Sequence, residues 1–279
     1  VKRTSTIKVN AGNFDSVFSV NQISQNLWLR DQNCTINLRA TIDTRRVTEK
    51  CRIETVPLSQ VCDVLYGIKT GDNEKYLSNQ LSKTHKVKAL KTGELVRYHI
   101  EWKGIYLWWC SDLAGYRISR LDVSKIVVQY IRKLSLTRRI IAAIDIKGVY
   151  YPLNNYSYLI LRDRTYSLEY VLGIVNSALI NFYFANTFID YNIKPTYLQQ
   201  LPIRPINFSD PTDKSRHDRM VALVERMLGL HQQLAAAKIG HDKTARQRQI
   251  EATDKQIDQL VYELYGLSEE EIKIIEASK

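Results

Sequence analysis

Five cations stand in a stretch of this chain that has no carboxylate. Between Asp122 and Asp145 the only charged residues are Lys125, Arg132, Lys133, Arg138 and Arg139. The chemistry that suits such a run is polyanion binding, because each phosphate neutralised by a Lys or Arg releases condensed counterions. Arg132, Lys133, Arg138 and Arg139 would then contact phosphates and set register without reading sequence. The structural alternative is that Arg138 and Arg139 pair with carboxylates. None lies between Val123 and Ile144, so any partner must come from elsewhere in the fold.

A second candidate is the glycine-bracketed turn Gly67-Ile68-Lys69-Thr70-Gly71-Asp72-Asn73. Lys69 and Thr70 can donate hydrogen bonds, and Asn73 can make the bidentate pair that reads adenine in the major groove. The same residues also fit a hairpin turn whose glycines take positive φ. Lys194 and Tyr197 flank Pro195 in a short turn and are secondary candidates for DNA contact, Tyr197 fitting packing equally well.

Other chemistry finds little support. Asp72 followed by Glu101-Trp102-Lys103 is a formal match to a metal-dependent nuclease pattern. The spacing is permissive, and exposed residues flanking a buried Trp on a strand explain it better. The four cysteines contain no Cys-x-x-Cys pair and the five histidines no His-x-x-x-His pair, so no zinc site is expected and the thiols are expected to be reduced. No Gly-rich nucleotide-binding loop and no nucleophile elbow is present. We therefore expect no catalytic, cofactor-binding or metal-binding residue in this chain.

The elements that must position these residues can be read from periodicity. Gly104–Cys110, Ile126–Val128, Ile140–Ile146 and Tyr156–Leu161 have the aromatic and β-branched content of strands. Residues 1–56 read as irregular α/β. Ser167 is an N-cap, and Leu168, Val171, Leu172, Val175, Leu179, Phe182 and Tyr183 mark one buried-face helix running to about Thr187. Pro195 opens a short helical turn that Pro202 ends. After Asp210-Pro211, Met220, Val224, Met227, His231 and Leu234 make one stripe, and Ile250, Thr253, Ile257, Leu260 and Leu264 another. With a break near Ile239-Gly240-His241, they predict an antiparallel helical hairpin with a coiled-coil-like seam. His231 on that seam should pack as a neutral residue. Ser268-Glu269-Glu270-Glu271 is a capping box for one last helix. The expected fold is α+β: a mixed-sheet domain over 1–208, then a hairpin arm over 209–279.

Charge follows the same division. Residues 1–208 hold 29 Lys/Arg against 16 Asp/Glu, and residues 209–279 hold 11 against 13, which together give the net +11. The 17 tyrosines suit a surface that is both apolar and hydrogen-bonding. No stretch approaches the ~20 apolar residues of a membrane span, and no apolar run follows the N-terminus as in a signal peptide. No membrane partner is expected. The first residue is Val1 rather than Met, which predicts a segment of a longer protein.

Several blocks, in order, carry a family resemblance. They are Phe18–Ile23 with Trp28-Leu29, Pro57–Asn73, Lys88–Tyr98, Trp102–Leu107 and Lys125–Val128. Leu172–Ser177, the Tyr191–Pro205 run "YNIKPTYLQQLPIRP" and Ile257–Leu267 complete the set. Together they resemble the C-terminal target-recognition region of TaqI-like, adenine-specific DNA methyltransferases, and in particular of fused type IIG restriction–modification enzymes. The resemblance implies a module that reads double-stranded DNA for a methyltransferase catalytic domain of the same parent chain. It implies S-adenosylmethionine as the parent's cofactor and a prokaryotic, cytoplasmic setting. The family's Asn/Asp-Pro-Pro-Tyr/Phe catalytic motif and its Gly-rich cofactor loop are missing here and are expected upstream of Val1. The other reading is a protein-interaction module whose near-neutral hairpin docks the catalytic domain or another subunit.

Overall fold

The computed structural model describes residues 6–13, 16–24, 41–113, 120–131, 136, 138–188, 190–238 and 240–278. Arg132 and Lys133 lie outside them, as do Trp28, Leu29, Cys34 and Ile239. The chain opens with an antiparallel hairpin, β1 (Thr6–Asn13) and β2 (Ser16–Ser24), then helix α1 (Ile42–Lys50). The Thr41 hydroxyl caps α1 by accepting the Thr44 N–H at 3.1 Å. The sheet region follows as β3 (Val56–Pro57), α2 (Leu58–Val61), β4 (Cys62–Tyr66), α3 (Asn73–Tyr76), β5 (Leu77–Ser78), β6 (His85–Leu90), β7 (Leu95–Val96) and β8 (His99–Ile100). It continues through β9 (Tyr106–Trp108), β10 (Lys125–Gln129), β11 (Ala142–Asp145), β12 (Tyr150–Pro152) and β13 (Tyr156–Leu161). The remainder is mostly helical: α4 (Leu168–Asn176), α5 (Ala178–Thr187), α6 (Pro195–Leu198), β14 (Pro202–Ile203), α7 (Pro211–Ala236), α8 (Gly240–Leu264) and α9 (Glu269–Glu276). The architecture is α+β.

Two four-stranded sheets make the frame. One is antiparallel, in the order β11-β10-β13-β4. The other, β12-β6-β9-β5, is mixed, because β12 runs parallel to β6. β13 shows why the first sheet is central. Tyr156 to Ile160 are all buried, so the strand is a continuous apolar run rather than an alternating one. Its side chains still alternate in direction. Leu159 joins the core shared with the helices, while Tyr158 and Ile160 join the core beneath the mixed sheet with Ala89 and Leu107. The antiparallel sheet therefore lies between a helix layer and the smaller sheet.

The helix expected from Leu168 to Thr187 is two helices. Ser177 adopts extended backbone, its hydroxyl accepts the Ile180 N–H at 3.2 Å, and α4 and α5 meet at a 59° bend. A serine able to cap a new N-terminus turns the chain where apolar spacing alone reads as continuous. Among the described residues no single helix is long and apolar enough to cross a membrane.

The hairpin forms as α7 and α8, but its apolar stripe is not confined to a seam between them. A Cβ on Gly173 of α4 would lie 2.5 Å from Met220 Sδ and 3.1 Å from Val224 Cγ2, so that glycine lets α7 close onto α4. Met220, Val224, Met227, Ile257 and Leu260 are buried in the same core as α4, α5 and the sheet. The capping box at α9 is formed, and Glu271 also takes Lys50 of α1 at 2.7 Å.

Candidate nucleic-acid interface

Strand register brings several loops to one rim of the two sheets. Tyr66 ends β4 opposite Ser157, and Gln129 ends β10 opposite Tyr156. The Gly67 N–H donates to the Tyr156 carbonyl at 2.9 Å, and the Tyr130 N–H to Asn155 at 2.9 Å. The Ile193 N–H donates to Tyr130 at 2.6 Å. In the mixed sheet, the Leu153 N–H donates to Leu90 at 3.1 Å, and Ser78 of β5 pairs with Tyr106 of β9. The segments 67–73, 79–80, 91–94, 101–105, 130–131, 153–155 and 190–194 therefore emerge at the same end.

The glycine turn is built for close approach. A side chain at Gly67 would reach within 2.0 Å of the Leu153 carbonyl oxygen, so only glycine fits there. Gly71 has φ of 82°. The turn is not a hairpin; it leads from β4 into α3, which Asp72 caps by accepting the Lys75 N–H at 3.1 Å. Lys69 and Asn73 are exposed, whereas Thr70 is buried. The Thr70 hydroxyl donates to Asn73 Oδ1 at 2.6 Å. Thr70 is thus the residue that orients Asn73, leaving both Nδ2 hydrogens and one Oδ1 lone pair to face outward. A shallow cleft of about 220 Å³ beside it is lined by Asn73, Ser78, Asn79, Lys91 and Ile105 among others.

The secondary candidates reach the same rim. Lys194 pairs with Asp190 at 2.6 Å and lies over the Tyr197 ring. The Asp190 partner holds its ammonium above the usual lysine range. Tyr197 stacks on Phe188 with centroids 4.7 Å apart and points its hydroxyl at Asp190, so it is a packing residue. Ile131, immediately before Arg132 and Lys133, bridges to Asn192 on this rim.

Three cations of the acid-free run, expected to face a polyanion, face inward instead. Lys125 begins β10 at the opposite end and is fully buried, donating to Asp145 at 2.8 Å and to the Leu121 and Val123 carbonyls. Its three ammonium hydrogens are spent, and burial pushes its pKa down against the pull of Asp145. Arg138 turns into the helix layer and meets Asp258 of α8 at 2.6 Å, with a further hydrogen bond to the Asn176 carbonyl. Arg139 is 2% exposed; it donates to the Phe188 and Asp190 carbonyls with its guanidinium over the Phe184 ring. These are structural cations. An acid-free run in sequence does not exclude partners more than a hundred residues away.

Sequence reading missed the residues that organise the mixed-sheet end of the rim. Glu94 is 1% exposed and its carboxylate accepts the Lys91 N–H at 2.6 Å and the Lys103 N–H at 2.8 Å. The Tyr156 hydroxyl donates to the Lys91 carbonyl at 2.6 Å, and burial pushes that phenol up to about 12. Glu101 and Lys103 are exposed beside half-buried Trp102, whose indole N–H is held by the Ala89 and Ile105 carbonyls. The described residues contain no cluster of three side chains placed to hold a metal ion.

Comparison with known proteins bears on this arrangement. A search of curated proteins finds no match. Among solved structures, the type IIL restriction–modification enzyme MmeI in complex with DNA is similar, with a TM-score of 0.58 and 11% identity, over 99% of this chain. The chain spans 41% of the length of that enzyme, and at this identity the likeness shows a shared fold. The sequence profile of the TaqI-like C-terminal specificity domain matches residues 87–203, from β6 to β14. Over those residues, fewer than half of the chain, the sequence is similar to a TaqI-like C-terminal specificity domain.

Proposed function

We propose that this chain is the DNA-reading specificity module of a restriction–modification adenine methyltransferase. The observation that carries the reading is the rim: Lys69, Asn73, Lys91, Lys103 and Lys194 come from four separate loops to one end of the sheets. Phosphate contacts from the lysines would fix register, while Asn73, held by Thr70, reads a base edge. Arg132 and Lys133, next to Ile131, would add to the phosphate contacts. Duplex DNA is the partner. The methyl donor S-adenosylmethionine and the catalytic motif would belong to a methyltransferase domain of the parent chain, as in type IIG enzymes, acting in a prokaryotic cytoplasm.

Titration of the chain with fluorescent duplex DNA at several salt concentrations tests this reading. Log affinity should fall linearly with log salt, by about 0.9 per phosphate contact. Affinity without the catalytic domain should be weak, because that domain would supply the rest of the clamp. No binding at low salt would reject the DNA reading. The protein-docking alternative would rest on the near-neutral charge of the hairpin, since its apolar stripe is buried within this chain.

A further inference from the structure

The mixed-sheet end of the rim places two lysines around one buried acid. Glu94 lies between the turns that carry Lys91 and Lys103, and each of its oxygens accepts one of their backbone N–H groups. Both turns need unusual backbone: Gly93 has φ of 85° and Gly104 φ of 86°. A Cβ added to Gly93 would lie 3.6 Å from Lys103 Nζ, so the Lys103 ammonium lies against the Lys91 turn. Among the described residues neither Lys91 nor Lys103 has a carboxylate partner, and both are exposed. Tyr156 ties the assembly to the central sheet, its hydroxyl taking the Glu94 N–H at 3.3 Å while donating to the Lys91 carbonyl.

This arrangement is costly unless it serves a purpose. A buried carboxylate with only backbone donors gives up much of its hydration. Two like-charged ammonium groups on adjoining turns repel one another. The Glu94 charge beneath them offsets that repulsion without occupying their hydrogen bonds, which stay available to an anion. We propose that Glu94 is the positioning residue of a two-lysine phosphate clamp, in which Lys91 and Lys103 grip the backbone of one DNA strand next to the Asn73 cleft. The clamp rests on the DNA-binding reading and adds to it the residues and the means by which that rim holds phosphate.

Salt-dependent binding of a short fluorescent duplex tests it. Lys91→Ala and Lys103→Ala should each lower the slope of log affinity against log salt by about 0.9. Glu94→Gln keeps the shape but sets an amide N–H against a backbone N–H, so one turn must move. It should lower the slope as both lysine changes do together, and adding Lys91→Ala and Lys103→Ala to it should lower the slope no further. A merely structural Glu94 would reduce the melting temperature and leave the slope intact, and that result overturns the proposal. Tyr156→Phe loosens the Lys91 turn more gently, and should lower the slope even if the Gln variant does not fold; a wild-type slope there also overturns the clamp. Failure of the unaltered chain to bind rejects the DNA reading itself, whereas binding with unchanged slopes in the lysine variants rejects the clamp alone.

Discussion

The inward and outward cations of this chain carry the same charge and differ in what lies opposite them. Lys125, Arg138 and Arg139 meet a carboxylate or a set of carbonyls supplied by the fold; Lys125 ties two strands of one sheet, and the arginines join the helices to it. Lys69, Lys91 and Lys103 meet solvent on the rim. Charge density along a sequence is therefore a poor guide to a binding surface when the domain also uses arginine to join helices to a sheet. The joint is concentrated on α8, where Asp258 holds Arg138 and caps α5 through the Ala178 N–H at 2.7 Å, and Asp254 holds Arg97.

Breaking that joint should give the largest effect. Asp258→Ala removes a buried carboxylate from half-buried Arg138 and from the Ala178 N–H, and is expected to cost about 3–5 kcal/mol in denaturant unfolding. Arg138→Ala should likewise lower stability while leaving the salt slope of DNA binding unchanged; a reduced slope would return Arg138 to the phosphate contacts. Leu260→Ala removes a fully buried side chain from the core shared by hairpin and sheet. It should cost roughly 2–5 kcal/mol, and an unchanged melting temperature would mean that the hairpin does not pack on the domain.

On the rim the expected effects are smaller and of another kind. Asn73→Ala should leave stability nearly unchanged and alter discrimination at one base pair by about 1–3 kcal/mol, measured by competition among duplex variants. Equal loss of affinity for every sequence would assign Asn73 to the backbone instead.

A pH titration sharpens the comparison at the junction. His231 of α7 stacks on His99 of β8 with centroids 5.8 Å apart, near Tyr98, Arg97 and Asp254. Burial, with His99 and Arg97 beside it, pushes its pKa from 6.5 down to about 4. Between those values the unfolded chain binds more protons than the folded one, so the contribution is intact above 6.5 and lost as pH falls toward 4. His231→Gln should flatten that part of the stability profile. A slope unchanged by the substitution would show that His231 is solvated.

Local signals survived folding where they depend on neighbours in the chain. Tyr156–Leu161 is a strand, Pro195 starts a helical turn, Ser268 closes a capping box and the two stripes after Pro211 are paired helices, because periodicity and capping act within a few residues. Lys69, Thr70 and Asn73 could be named as hydrogen-bonding groups because the glycines around them mark a turn; that Thr70 is buried beneath Asn73 could not be read there. What the sequence could not show is which cations face water. Arg138 finds Asp258 120 residues away, Glu94 joins Lys91 to Lys103 through backbone amides, and the rim exists only because strand register aligns seven loops. Those partners are chosen by sheet pairing and helix packing, and burial makes a cation's partner compulsory only once the tertiary fold has removed water from it.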